Sequence, residues 1–313
     1  MRFSRRDFLG VAGLGAAAWE TNCAAVPGEP GGRQPRLAFS TYSYWHFQES
    51  KVGVEAVIDK AGEYGADGVD LLHRQMEKLE GAALRELKRR AFRAGVALVC
   101  LSIHQDFVTP DEAERGRQIE HTLRGIDLAH ELGIPCMRII AGRWKTAKTF
   151  EQLMKLRGEE PPLTGYTEDD AFRWCIDAIE KCLPRAAEQG VLLALENHWG
   201  LTRNPEGVLR IVNAIDSPWL GVLMDTGNFL EEPYEKLKAI APRTVFVQAK
   251  TYDGGGEWYT LKLDYRRIAQ ILADAHYRGY VSLEFEGKED PDRAVPRGLA
   301  MLREALAGVS WPG

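Results

Sequence analysis

The chain has 313 residues, 45% hydrophobic and 27% charged, with a formal net charge of −5 and a pI near 5.9. The acidic balance and the lack of any basic stripe exclude a nucleic-acid-binding surface. Five cysteines without a CxxC-type pair exclude that kind of zinc site and a disulfide framework.

In chain order, the first feature is a leader. Met1–Asp7 carries Arg2, Arg5 and Arg6, Phe8–Ala18 is an apolar run of small residues, and Cys23, Ala24 and Ala25 precede Val26 and Pro27. A basic start, an apolar run and a small-residue zone make a signal peptide, and the run is too short to span a bilayer, which takes about 20 residues. Ser4–Gly10, SRRDFLG, resembles the twin-arginine export signal. The small-residue zone places cleavage near Ala25, and the resemblance implies export of a folded chain with any cofactor already loaded and a periplasmic or extracytoplasmic location. Cys23 follows Glu20-Thr21-Asn22, a poor lipobox. The expected organisation is a signal peptide over 1–25, a Gly/Pro/Arg linker over 26–36 and one domain over 37–313.

Eight apolar, strand-like runs follow: 37–43, 68–72, 97–103, 136–141, 192–197, 220–226, 244–250 and 280–286. Helical stretches alternate with them near 52–64, 82–94, 111–132, 168–189, 205–215, 231–241, 264–277 and 291–307. Apolar runs separated by helices imply a parallel sheet buried on both faces. Eight such pairs in a domain of this length predict a single (β/α)8 TIM barrel, a fold of about 250 residues. An open doubly wound sheet usually has a Gly-rich phosphate turn after its first strand, but here the chain continues YWHF. Local signals support the helix ends. Thr167-Glu-Asp-Asp170 resembles a capping box, Gly95 and Gly190 stand where helices stop, and Asn204-Pro205 is a cap followed by proline at N1. Pro184 predicts a kink or break. Residues 142–167 form an unusually long connection, either a lid over the barrel mouth or a surface insertion. Gly254-Gly255-Gly256 is either an active-site loop or a surface turn. Cys100, Cys136, Cys175 and Cys182 read as buried thiols; the last two lie about 10 Å apart along one helix, too far to bridge.

The chemistry collects at strand ends. Glu196 closes LLALE, Asp225 closes GVLMD, and Glu284 lies in YVSLEFEG with Glu286 two residues on. Carboxylates at the carboxyl ends of barrel strands share one mouth, and their mutual repulsion calls for a divalent cation among them. Period-two alternation puts Glu284 and Glu286 on one face, one toward the mouth and one at the rim. Gln248 and Lys250 share a face of the seventh strand. Lys250 is placed to hold a substrate oxygen or stabilise an enolate. His198 shares the face of Glu196 and would bind hydroxyls or relay a proton; His104 follows the third strand and would line the mouth. His46 and His73 follow strands one and two. His121, His130 and His276 fall on helices. Arg138, inside strand four, requires an acidic partner. Trp45, Trp144, Trp199 and Trp258 fall on strand-following loops, where aromatic rings often line sugar sites.

The motifs LALENH, LMDTGN and SLEFEG, over roughly Leu37 to Leu306, resemble the xylose-isomerase-like barrel superfamily, which includes sugar isomerases and epimerases, inosose dehydratases and AP endonuclease relatives. The resemblance implies that Glu196, Asp225 and Glu284 bind a divalent cation, with Gln248 as fourth ligand in the position where the family usually has His. An amide oxygen is a harder, weaker donor than imidazole, which favours Mn, Mg or Co over Zn. Lys250 matches the family's Lys, and Asp70 lies where the superfamily often places a Glu near the substrate. The resemblance also implies that Glu196 and Glu284 act as acid and base. The expected activity is metal-dependent isomerisation or epimerisation of a sugar through an enediolate. The same site can serve a lyase or dehydratase on a keto-sugar, inosose or 3-keto-glycoside, and a non-catalytic exported sugar-binding protein is a further reading. The expected partner is a small sugar or keto-sugar, with no nucleic acid, no membrane after cleavage and a possible homo-oligomer. A DNA-repair reading would need more histidine ligands and a basic groove.

Overall fold

The computed structural model describes residues 32–45, 51–76 and 80–312. The signal peptide, the linker up to residue 31, and His46 lie outside the described residues. Eight parallel strands close on one another in sequence order: β1 Arg36–Ser40, β2 Gly68–Leu72, β3 Ala97–Ser102, β4 Cys136–Ile139, β5 Leu192–Glu196, β6 Leu220–Asp225, β7 Thr244–Thr251 and β8 Tyr280–Phe285. β8 pairs back onto β1 through Leu37 and Val281, which completes the single (β/α)8 TIM barrel. The helices are α1 Val54–Glu63, α2 Ala82–Ala94, α3 Glu112–Leu132, α4 Phe150–Lys155, α5 Glu168–Gln189, α6 Pro205–Ala214, α7 Pro233–Ile240, α8 Tyr265–Asp274 and α9 Pro291–Ala307.

The apolar runs have two burial partners. Leu193 and Leu195, Val222 and Met224, Val247 and Ala249, and Val281 and Leu283 pack outward in the large core beneath the helices. Alternate residues, among them Ala38, Cys100, Cys136, Ala194, Leu223 and Phe246, form a second core of their own. Full burial of each large apolar side chain contributes about 1.5–3 kcal/mol, so neither face tolerates a register slip. Continuing the second parity by two residues carries Ala194 to Glu196, Leu223 to Asp225 and Phe246 to Gln248. The periodicity that fills the barrel thus delivers polar groups to its carboxyl end. Register places Asp225 beside Gln248, Gln248 beside Ser282, and Lys250 beside Glu284. All four described cysteines are free and buried.

The helix ends follow the local chemistry. Thr167 and Asp170 form a reciprocal capping box on α5, and Asn204 caps α6 ahead of Pro205. Gly95 and Gly190 end α2 and α5 at φ of 74° and 67°, left-handed values that suit glycine. The expected break at Pro184 is not found: α5 continues through it to Gln189. Its neighbours Cys182, Leu183 and Ala186 are buried in the core, and that packing outweighs the lost backbone bond. Within the long connection from 142 to 167 the chain forms the short helix α4, which the periodicity did not reveal. Thr167→Ala, which removes the hydroxyl that accepts from Asp170 N and leaves the Thr167 N–H to Asp170 carboxylate half of the box in place, is expected to lower stability by about 1 kcal/mol. Urea unfolding should show this as a lower midpoint at an unchanged slope.

Candidate active site at the barrel mouth

Three strand ends and their first loop residues build the acidic cluster. Glu196 is buried and accepts from Asn228 Nδ2 at 3.0 Å, while its other oxygen lies 3.0 Å from Arg138 Nη1. Arg138 therefore has the acidic partner its position required. Asn197 ties β5 to β6, its side chain bonding both the N–H and the C=O of Asp225 at 2.7 and 2.9 Å. Asp225 in turn accepts from Gly227 N at 2.7 Å. Asn228 is the hub: it donates to Glu196 and to the Asn197 carbonyl and accepts from Lys250 Nζ at 2.9 Å. The Lys250 ammonium stands 3.4 Å from Asp225, 3.8 Å from Glu284 and 3.1 Å from Glu286. A step deeper, Asp70 accepts from Ser102 Oγ at 2.8 Å and Gln248 Nε2 at 2.7 Å.

The cluster is short of positive charge. Five carboxylates (Asp70, Glu196, Asp225, Glu284 and Glu286) surround two permanent cations, Arg138 and Lys250. Burial pushes the carboxyl of Asp225 up to about 7, Glu284 well above the usual range, and Asp70 and Glu286 upward. Burial opposes the charge on Lys250, but Asp225 and Glu286 outweigh it and keep the ammonium protonated. The histidines add no charge. Burial and the nearby Arg138 hold His104 and His198 well below their ordinary values. Arg138 Nη2 lies 3.1 Å from His104 Nε2, and a guanidinium only donates, so His104 carries its proton on Nδ1.

The geometry of the donor set bears on whether it can hold a divalent cation. Among the described residues no three Asp, Glu, His or Cys side chains converge as a ready ligand shell. The reason is physical: the Lys250 ammonium lies among the carboxylates of Asp225, Glu284 and Glu286, and Arg138 against Glu196. Yet Gln248 Oε1 is buried with no partner, and the buried Glu196 Oε2 and Asp225 Oδ2 each have only an ion pair, to Arg138 at 3.0 Å and to Lys250 at 3.4 Å. Asp70, which as a carboxylate only accepts, fixes the amide of Gln248 with nitrogen toward itself and oxygen left over. An unsatisfied buried acceptor is costly, and the Gln248 oxygen beside two carboxylates on adjacent strands, with an excess of negative charge, fits a cation. Oxygen-only donors suit Mg or Mn better than Zn.

Above the cluster lies a pocket of about 50 Å³ lined by Glu196, Glu284, Arg138, His104, His198 and Lys250, with Ser40, Tyr42, Leu72, Ser102 and Glu286 completing it. It opens into a cavity of about 670 Å³ that shares Tyr42, His104, His198, Lys250 and Glu286. The structure thus brings together Glu196, Glu284, Lys250, His198 and His104, with Asp225, Gln248 and Asp70 behind them. Glu286, considered for the rim, lines both spaces. Two expected sugar-contacting residues lie elsewhere. Trp144 is buried against Trp174, ring centroids 5.9 Å apart, and lines a separate cleft beside Glu160. Trp45 packs near Tyr42 and Lys51 and is absent from the cavity lining. Trp199 and Trp258 do line the cavity, as do Arg143, Lys145 and Phe150 of the long connection, which is therefore a wall of the mouth. His73 meets His121 edge-on at 5.4 Å, outside the lining. Asn228, Ser102 and Tyr42 had no assigned role in the sequence. Asn228 lay within a recognised motif, but its hydrogen bonds cross three strands and leave no local pattern.

Arg138→Met should destabilise the protein by about 3–5 kcal/mol, because it strands a buried carboxylate. Adding Glu196→Gln should recover much of that loss, a coupling that a double-mutant cycle by denaturant unfolding measures.

An eight-stranded barrel with an acidic, histidine-flanked mouth is the scaffold of an enzyme superfamily. A family model, the xylose isomerase-like TIM barrel, matches residues 58–305, and the chain belongs to that family. Among curated proteins, the 3-oxo-isoapionate decarboxylase of Pectobacterium atrosepticum is 27% identical over 226 residues, covering 69% of this chain and 68% of that one. Among solved structures, the D-psicose 3-epimerase of Clostridium cellulolyticum H10 superposes with a TM-score of 0.70 at 16% identity, covering 87% of this chain and 99% of its own. A 3-keto-D-glucoside 4-epimerase from E. coli superposes with a TM-score of 0.68 at 17% identity, covering 87% and 100%. At such identities the structural likeness establishes the fold.

Proposed function

We propose that the protein is a divalent-metal-dependent sugar isomerase or epimerase that removes a proton beside a carbonyl and returns it through an enediolate. One observation carries this reading: Glu196 and Glu284, from different strands, line the same 50 Å³ pocket together with Arg138 and Lys250. The pocket has room for one reacting carbon and its oxygen, with both carboxylates in its lining. Glu196, held by Arg138 and Asn228, is positioned to take the proton. Glu284, which lines the same pocket and whose carboxyl burial pushes above its ordinary value, is positioned to give one back. Lys250, charged and tethered to Asn228, faces the oxygen on which negative charge develops, and His104 and His198 offer neutral partners to neighbouring hydroxyls. Glu196, Asp225, Gln248 and Glu284 would hold the cation. When bound, it would supply Lewis-acid stabilisation of the enediolate oxygens.

A lyase reading has specific support from the curated relative. Loss of carbon dioxide from a 3-oxo acid, the substrate type in that protein's name, also leaves an enolate, and expulsion of a β-substituent from a keto-sugar would do the same. The three reactions share the stabilised oxyanion and differ in what leaves the neighbouring carbon. The N-terminal motif supports twin-arginine export and action outside the cytoplasm, and so an unphosphorylated sugar.

The test is solvent exchange. The protein, incubated in D2O with ketoses, 3-keto-glycosides and sugar-derived 3-oxo acids, should incorporate deuterium beside the carbonyl of at least one class, followed by NMR. Binding without exchange in every class would instead establish a sugar-binding protein.

A further inference from the structure

The reacting pocket is small, and the space above it is not. A hexose takes about six times the ~30 Å³ of a liquid water molecule, or roughly 180 Å³. The outer cavity measures about 670 Å³, within the range of about 300–1,000 Å³ that holds drug-sized ligands. A free ketose with its carbonyl in the inner pocket would leave most of this volume to water.

The walls of the cavity are unlike each other. One is aromatic: Phe150 at the start of α4, Trp199 after β5, and Trp258 and Tyr259 after β7. Their rings interlock, with centroids 5.0 Å apart for Phe150 and Trp258, 6.4 Å for Phe150 and Trp199, and 5.9 Å for Trp199 and Tyr259. The loop bearing Trp258 is fixed in place: Gly256 bridges Gly287 in antiparallel fashion and donates to Thr260 Oγ1 at 2.9 Å. Trp258 nonetheless remains 47% exposed, one of few large apolar side chains among the described residues to do so. The remaining lining includes polar groups, among them Gln105, Asp106, Gln118 and Arg143. Gly142, where the connection to α4 begins, has φ of 110°, and a Cβ there would lie 2.1 Å from Asp106 Oδ1. That close approach brings the connection against the loop after β3.

A pyranose has an apolar C–H face and a rim of hydroxyls, and a phenyl ring has two apolar faces. An aromatic wall flanked by hydrogen-bonding side chains matches that shape and polarity. We propose that the outer cavity is a second subsite in which the wall of Phe150, Trp199, Trp258 and Tyr259 holds a second ring of the substrate. The substrate class is then a keto-sugar bearing a glycosidic substituent, sugar or aryl. This rests on the inner pocket being the reacting site, and the test separates the two.

The test measures binding with compounds that lack a carbonyl and are not turned over. Glucose, cellobiose and phenyl β-D-glucoside are titrated calorimetrically into the protein with its metal content as purified. At least one two-ring compound should bind about tenfold or more tightly than glucose. Tight binding of cellobiose identifies the second ring as a sugar, and of phenyl glucoside as an aryl group. Trp258→Ala, at an exposed site where folding is not at risk, should remove that preference, and Trp258→Phe should restore part of it. Equal affinity for glucose and both two-ring compounds, or a preference untouched by Trp258→Ala, would overturn the subsite. A two-ring preference without deuterium exchange on the matching keto-glycosides would leave the subsite standing and defeat the enediolate reading instead.

Discussion

Glu284→Gln protein is expected to fold normally and to exchange the proton beside the substrate carbonyl about 10³-fold more slowly than wild type, within the range for loss of a general acid or base. The substitution keeps shape and volume and removes the proton-transferring group, while the amide oxygen remains as a neutral donor for a cation, so the exchange rate is compared at saturating metal. Glu284 lies 3.8 Å from the Lys250 ammonium, and burial, with Asp225, Glu286 and Glu196 around it, raises its pKa well above the ordinary value. A carboxyl that binds its proton more tightly folded than unfolded contributes stability that is full below the unfolded pKa and lost as pH rises toward the folded one. At neutral pH its charge therefore works against folding, and metal-free Glu284→Gln should be at least as stable as wild type. Glu196→Gln gives the contrasting result. It also abolishes exchange, but it leaves Arg138 buried beside a neutral amide and lowers stability by about 3–5 kcal/mol. Deuterium incorporation together with denaturant unfolding separates the two roles. Exchange within tenfold of wild type in Glu284→Gln would remove Glu284 from the chemistry.

Removal of divalent cations by chelation and dialysis should reduce exchange to background, and Mn, Mg or Co should restore it better than Zn. Melting provides a readout that does not depend on activity. A cation at about 100 times its dissociation constant stabilises the folded state by about 2.7 kcal/mol, so thermal unfolding should move upward with added metal. Gln248→His should strengthen this response and shift it toward Zn, because imidazole is the softer ligand. Full activity after chelation, with no ion changing the melting curve, would overturn the metal site. Arg138 and Lys250, already against Glu196 and Asp225, would then be the positive charges that stabilise the enediolate.

The sequence located each strand of the barrel to within three residues at either end, because each strand is buried on both faces and its burial is written in consecutive residues. The same parity carried Glu196, Asp225, Gln248 and Glu284 to one end of the barrel. Helix α4 escaped because six residues show too little periodicity. Pro184 misled because a local rule about backbone hydrogen bonds was overruled by packing from distant residues. Trp144 looked like Trp199 in sequence, since both follow a strand. Only the different courses of the connections after β4 and β5 turn Trp144 into the core and Trp199 toward the cavity.

What the sequence by itself determined, then, is the scaffold and the identity of the strand-end acids, since both follow from residues two or three apart on one element. The tertiary structure decided how those acids are charged and paired: Arg138 with Glu196, Lys250 among Asp225, Glu284 and Glu286, Asn228 linking Glu196 to Lys250, and Asp70 orienting the Gln248 amide. It also decided the size of the cavity and which aromatic rings face it. These depend on contacts between strands and loops far apart in the chain, where the energy of each group is set by neighbours that no local pattern records.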